Sequence, residues 1–372
     1  METTALPCLL EELVTQILQR LPVKSLIRFK CVCKSWFSLI SHDPHFANSH
    51  FELTASKDTH RLMFITNYIP KTLSLDFEAS LDYDTAIEIP HPNPNFVKPQ
   101  SDYRIKNTSS SRGFIFWYND PDIIYLWNPS TGANKKIPLS PFGSNLDAAY
   151  YYGFGYDQLT DDYLVVSFSY VLNFDANLVN SRLEFFSLRD STWKELEGTP
   201  FPYMLYPDEH RVGSLFSGAI HWLAFHNDLA RDVIIAFDLM ERRLLEMPFP
   251  DGFGLESEYT QLWVFGEFLS LSAMDHDNSR VEIWVMKEYK VHSSWTKTLV
   301  LSIDDIPYFS PICSTKSGDI IGTNGDTELL KYNDKGQLLE HNSFWDGPCP
   351  IGSLVTVYTE SLLSLPSDNV LP

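Results

Sequence analysis

At 372 residues, with 44% apolar and 14% aromatic side chains, the chain is long enough for one large domain or two smaller ones and too rich in core-forming residues to be disordered. Its net charge is −20, divided as +1 over residues 1–50 (five Lys/Arg, four Asp/Glu) and −21 over the rest (23 against 44), which argues against a nucleic-acid partner and for two units with different tasks. Five cysteines are too few for a disulfide scaffold, and neither a basic-then-apolar leader nor an apolar run near the roughly 20 residues of a membrane helix is visible, so the expectation is a soluble protein of the cytoplasm or nucleus.

The first element is helical. Leu10, Leu13, Val14, Ile17, Leu18 and Leu21 follow the spacing of one helix face and fill an arc of about 140°. Pro22 ends it. A second helix is expected from Ser25 to about Ser41, with Leu26, Phe29, Val32, Cys33, Trp36, Phe37, Leu39 and Ile40 on an arc of about 160°. Ile27 and Cys31 fall outside that arc, beside Lys30 and Lys34 on a cationic side. Asp43-Pro44 then opens a third short helix, with proline at the first helical position. About 45 residues cannot build an adequate core alone. The apolar surplus must be covered either by the rest of the chain or by another protein.

After a polar joint, "ELTASKDTH", the chain consists of short apolar alternations separated by Gly, Asn, Asp and Ser, an all-β pattern. Two markers recur. Aromatic strand ends precede polar turns at Trp127-Asn128, Phe186-Ser187, Phe237-Asp238, Trp284-Val285 and Tyr332-Asn333, with the aromatics 59, 51, 47 and 48 residues apart. Glycines precede apolar strands at Gly113, Gly218, Gly266 and Gly318, spaced 105, 48 and 52. A shared period near 50 is that of a kelch-like propeller, here of about six blades. The glycines are expected to let the backbone pass close to its neighbours. The competing architecture is an irregular pair of β-sandwiches.

Catalytic and metal motifs are tempting but weak. Cys31, Cys33, His42 and His45 have a zinc-like spacing, yet on one continuous helix the two cysteines face about 200° apart and cannot share an ion. Asp157, Asp161 and Asp162 lack the order and terminal glutamate of a calcium loop and read as a solvated turn. His221 reads as a satisfied inner-strand residue. No nucleophile elbow, phosphate loop or H-E-x-x-H occurs.

"EELVTQILQRLPVKSLIRFKCVCKSWFSLI" resembles an F-box: Ile17-Leu18, Leu21-Pro22, Leu26, Val32-Cys33-Lys34, Trp36 and Leu39-Ile40 follow the family motif in order. It departs at its start, where Leu9-Leu10 precede Glu12 and a Leu6-Pro7 pair sits three residues early. The body segments "LWNPSTG", "GFGYDQLTDDYLVV", "FFSLRDSTWKELE", "GAIHWL", "IWVMKEYKVHSSWTK" and "VYTESLLSL" resemble the plant F-box-associated domain, the broad group that includes S-locus F-box proteins. The resemblance implies a three-helix F-box over residues 5–52 and a target-binding propeller over 60–365. It implies a non-catalytic subunit of an Skp–cullin–F-box ubiquitin ligase that needs no cofactor or metal. Leu10, Leu13, Ile17, Leu21, Pro22, Leu26, Val32 and Trp36 would hold or support the Skp adaptor and, through it, the cullin and RING subunits.

The −21 body suggests a basic protein target drawn by electrostatic steering. The less repeat-like stretches 203–211 and 250–259 supply candidate target contacts: Tyr203, Tyr206, Asp208, Phe253, Glu256, Glu258 and Tyr259. The subgroup raises pollen self-incompatibility as a pathway, with defence or hormone signalling as others. A function of another class, a propeller enzyme or lectin with a helical cap, needs polar residues converging on the central channel. None is nameable from sequence.

Overall fold

A computed structural model describes residues 11–55, 60–66, 71–90, 105–119, 123–141, 148–173, 178–197, 201–206, 212–254, 260–275, 277–303, 306, 308–324, 328–344 and 353–366. Four helices come first: α1 (Glu11–Leu18), α2 (Val23–Phe29), α3 (Lys34–His42) and α4 (Pro44–Thr54). The second helix expected over Ser25–Ser41 is therefore two, and the helical unit has four members rather than three. Cys31, Val32 and Cys33 are weak helix formers in succession. Here the chain tightens into a turn, with Cys31 N–H bonding Arg28 O and Val32 N–H bonding Phe29 O. Cys33 is extended, and its sulfur accepts from Trp36 N at 3.5 Å to cap α3. Cys31 and Cys33 therefore do not share a helix, and the expected opposite-face placement does not apply to them; both thiols are free and exposed. At the next junction Asp43 caps α4 through Phe46 N (3.0 Å), with Pro44 in the first turn as expected.

Six antiparallel sheets follow. Blade 1 holds His60–Thr66, Thr72–Leu75 and Ile87–Glu88; blade 2 holds Ile105–Ser111, Phe114–Asn119, Ile123–Trp127 and Asn134–Ile137. Blade 3 holds Ala149–Asp157, Asp162–Asn173, Leu178–Ser187 and Thr192–Glu195. Blade 4 is built on Ala219–His226, Arg231–Asp238 and Arg243–Pro248. Blade 5 holds Thr260–Phe265, Phe268–Asp275, Arg280–Met286 and Trp295–Ser302, and blade 6 holds Ser310–Ser314, Ile320–Thr323, Glu328–Tyr332 and Leu338–Ser343.

The ring closes through its last strand. Ser353–Thr359 pairs antiparallel with His60–Thr66, Leu62 opposite Val357, and becomes the inner strand of blade 1. Inner strands of neighbouring blades are also joined by side chains. Ser110 Oγ donates to Val357 O, Ser214 Oγ to Leu262 O (2.7 Å) and Ser310 Oγ to Gln261 Oε1 (2.8 Å). The apolar core lies between blades, for instance Phe185 and Leu164 of blade 3 against Phe237 and Ile235 of blade 4. Closure removes the sheet edges that an open propeller would expose.

Both repeat markers mark turns. In blades 2, 3, 4 and 6 the aromatic lies at or next to the end of the third strand and the polar residue after it holds the next turn, Ser187 Oγ accepting from Asp190 N (3.0 Å) in blade 3; in blade 5 Trp284 lies within its strand, Arg280–Met286, and is followed by Val285, which holds none. Asn128 Oδ1 accepts from Ser130 and Thr131 N, Asp238 Oδ1 from Met240 and Glu241 N, and Asn333 Oδ1 from Lys335 and Gln337 N. The glycines occupy first-to-second-strand turns with φ of 83°, 74°, 58° and 89°. At Gly218, Gly266 and Gly318 an added Cβ would meet nothing within 4 Å, so positive φ, not the expected backbone crowding, selects glycine there. Gly113 alone of the four is crowded: a Cβ would lie 2.1 Å from Ser361 Oγ.

The aspartate turn is a second correction. Asp161 is exposed as expected, but Asp157 and Asp162 are buried: Asp157 faces the seam with blade 4, and Asp162 faces the neighbouring strand of its own blade. Asp157 accepts from Leu159 N (2.9 Å), Thr160 Oγ1 (2.5 Å) and Arg242 Nη2 of blade 4 (2.7 Å). Asp162 accepts from Ser187 Oγ and Arg189 N. His221 is buried in the second strand of blade 4, its ring nitrogens satisfied by Ser214 O (3.1 Å) and Tyr289 OH (2.8 Å).

Candidate docking surfaces

The apolar arcs of the helices divide between two fates. Leu18, Val23, Leu26, Ile40, Phe46, Ala47 and Phe51 are buried in a core that continues into Phe114, Phe116, Phe154 and Val165 of blades 2 and 3 and into Leu362, Leu363 and Leu365. The rest of the chain therefore covers one side. On the other, Leu13 (44% exposed), Ile17 (51%), Val32 (59%) and Phe37 (48%) stay in solvent. About half exposed, each forgoes roughly 1 kcal/mol of burial. Pro22 is exposed, and Leu21 and Trp36 are partly buried, the Trp36 ring lying 5.6 Å from Phe29. Leu26 is fully buried, so it supports this surface from beneath. Leu10 lies outside the described residues. Phe37 belongs to the surface although motif matching did not single it out; its place on the second apolar arc was the available signal.

Arg112 joins the helices to the propeller. It occupies the first-to-second-strand turn of blade 2, next to Gly113. Its guanidinium lies 4.8 Å from the Phe51 ring and 4.1 Å from the Tyr156 ring. It donates to Glu52 Oε1 (3.2 Å) and Asn48 Oδ1 (3.0 Å) of α4. Burial first, then the hydrogen bond to Asp161, pushes the Tyr156 phenol up to about 12, so the ring facing the guanidinium is neutral.

Turns between first and second strands share one end of the ring with the helices. Turns between second and third strands, and connections between blades, share the other. The described start of the first candidate target segment, Tyr203–Tyr206, lies at this far end, whereas the stretch from Phe249 packs beside the third-to-fourth-strand connection of blade 5, where His292 Nε2 bonds Phe249 O (2.9 Å). Tyr203 begins a short strand, Tyr203–Leu205, that pairs with the end of Ala219–His226, while Ser214–Phe216 pairs with its beginning. The inner strand of blade 4 is thus in two pieces: after the first, Tyr206 N bonds Leu223 O (3.4 Å), and before the second, Gly213 N bonds Tyr152 O (2.8 Å). Tyr203 OH donates to Glu246 Oε2 (2.8 Å), and Glu246 Oε1 accepts from Arg231 (2.6 Å). Tyr206 is about one-third exposed. Phe253 is buried against Phe249 and Trp284, with ring centroids 5.6 and 6.0 Å away, so it packs its loop instead of presenting an aromatic anchor. Asp208, Glu256, Glu258 and Tyr259 lie outside the described residues.

Among the described residues no group of three or more His, Cys, Asp or Glu is placed to hold a metal, and no helix is long and apolar enough to cross a membrane. A four-helix unit with one uncovered apolar side, seated on a closed six-bladed propeller, defines a two-part protein with separate surfaces at its two ends. The chain belongs to the F-box proteins with an F-box-associated propeller: the F-box associated beta propeller domain model matches residues 61–332 and the F-box domain model residues 6–47. The propeller match ends at Tyr332, before the strand that closes the ring.

The chain is similar to the F-box/kelch-repeat protein At3g23880 of Arabidopsis thaliana, 30% identical over 332 residues that cover 87% of this chain and 86% of that one. It is also similar to the F-box protein CPR1 of Arabidopsis thaliana, 28% identical over 330 residues (82% and 76%), and to the F-box protein At4g22390 of the same plant, 25% identical over 357 residues (88% and 84%).

Proposed function

We propose that the chain is a non-catalytic substrate-recognition subunit of a cytoplasmic or nuclear Skp–cullin–F-box ubiquitin ligase. The observation that carries this reading is the exposure of Leu13, Ile17, Val32 and Phe37 on an F-box whose other apolar residues are buried against its own propeller. A Skp-type adaptor covers these side chains, assisted by Leu21, Pro22 and Trp36, with Leu26 supporting them from beneath. The cullin and RING subunits follow through the adaptor. The far end of the propeller holds the protein to be modified, and proximity supplies the rate gain by raising the local concentration of its lysines at the charged conjugating enzyme. The acidic body favours a basic target.

Co-expression with a Skp-type adaptor tests the docking half. A stoichiometric complex is expected with the native chain and none with Ile17→Asp/Val32→Asp, whose sites are exposed and leave the fold intact. A double variant that still co-purifies at stoichiometry overturns the assignment.

A further inference from the structure

The F-box is not hung on the propeller by a linker; it shares the propeller's core and is gripped at one point. Arg112 projects from a blade 2 turn between two aromatic rings, one from each domain, and reaches two polar side chains of α4. Its side chain is only 14% exposed. The turn itself is braced from behind, where Ser361 Oγ donates to Arg112 O (3.3 Å) and Ser361 N–H bonds Ser130 Oγ (3.2 Å). The closing strand of the ring therefore runs directly into the seat of the helices.

We infer that Arg112 is a positioning residue for ubiquitin transfer: it fixes the angle between the adaptor-facing strip and the far end of the propeller. The inference rests on the receptor reading above. A guanidinium suits the task because its planar fork stacks on a ring while donating edge-on to two acceptors; an ammonium keeps the charge without that directional grip. Hinge motion between domains is the default unless the interface is large or specifically pinned. Here the shared core resists separation, and the Arg112 clamp resists rotation.

The test uses the full-length chain with distance labels carried by non-canonical amino acids at His45 in α4 and Leu229 at the far end of blade 4, both exposed. The native chain is expected to give one narrow distance distribution. Arg112→Gln broadens it about twofold, Arg112→Lys falls between, and Asn48→Ala/Glu52→Ala, which leaves the propeller untouched, broadens it as well. Adaptor affinity stays within about twofold in all of them, because none of these residues lies on the exposed strip. In a reconstituted ligase, the set of the chain's own lysines that receive ubiquitin widens in the Gln variant. An unchanged distance distribution and lysine set in both the Gln and the double variant overturn the inference. Failure of every variant and the native chain to bind adaptor overturns the receptor reading instead, while the distance measurement still decides the role of Arg112.

Discussion

Asn128 and Ser361 stand 233 residues apart and are bonded twice: Asn128 Nδ2 donates to Ser361 O at 3.2 Å and to Ser361 Oγ at 3.1 Å. The same amide donates to Leu363 O (3.0 Å), while its Oδ1 holds the turn after Trp127. One fully buried side chain thus ties blade 2 to the C-terminal segment beneath the F-box. Asn128→Ala strands several buried partners and is expected to cost about 2–4 kcal/mol in denaturant unfolding. Asn128→Asp keeps the turn acceptor but sets a carboxylate oxygen against three oxygens. It should be at least as damaging, and an Asp variant as stable as the native chain refutes the amide's role.

The blade 3–blade 4 seam depends on Asp157 and Arg242. Burial works against the carboxylate, but hydrogen bonds from Thr160, Arg242 and Leu159 outweigh it and hold its pKa below the ordinary value. Its contribution to stability is complete above the unfolded pKa near 4 and is lost as pH falls through the lower folded value. Arg242→Ala leaves a buried carboxylate without its cation and is expected to cost about 3–5 kcal/mol. Asp157→Asn should cost less and should flatten the acid limb below pH 4 in pH-dependent denaturation. Equal acid limbs in native and Asn proteins contradict the assignment.

His221 produces a separate, milder acid sensitivity. Burial lowers its pKa to about 4, opposed by its backbone hydrogen bonds. The unfolded chain therefore takes up the proton first, near pH 6.5, and stability falls between there and about pH 4 by on the order of 3 kcal/mol. His50, also buried, is lowered in the same direction. His221→Gln should remove most of the slope between pH 6.5 and 4, whatever it does to stability at pH 8; an unchanged slope rules His221 out as its source.

Two glycine substitutions separate turn geometry from crowding. Gly218→Ala meets only the positive-φ penalty, about 1 kcal/mol. Gly113→Ala meets the same penalty and also drives a methyl into Ser361 and toward Thr359 O, 2.9 Å away; it should lose about 3 kcal/mol or more and loosen the C-terminal segment. Comparable losses at both sites would mean that the Gly113–Ser361 contact carries little.

The propeller was legible in the sequence because its period is written in turns. A positive-φ glycine turns the first strand into the second in blades 2, 4, 5 and 6, and an aromatic followed by Asn or Asp closes the third strand in blades 2, 4 and 6; both are local signals. The F-box was legible as a motif, but its helix break was not: Leu26 and Trp36 fall about 80° apart on a 100° wheel, within one apolar arc, even though residues 30–33 leave the helix. Ring closure was illegible for a different reason. The pairing of Leu62 with Val357 joins the two ends of the body, and no local pattern announces it. Likewise, nothing near Asp157 signals that Arg242 waits across the seam, so the turn read as solvated. The division of the apolar arcs into a covered and an uncovered side required the propeller to be in place.

The most direct measurement is affinity capture from plant cells with the proteasome blocked, comparing the native chain with Ile17→Asp/Val32→Asp. The native chain should recover a Skp adaptor, a cullin and a ubiquitin-modified protein. The double variant should recover that same protein, unmodified and without adaptor or cullin, because its far end is untouched. Recovery of adaptor and cullin by both chains, or of no ubiquitin-modified protein by the native one, contradicts a receptor that docks by its exposed helical strip and selects its target at the other end.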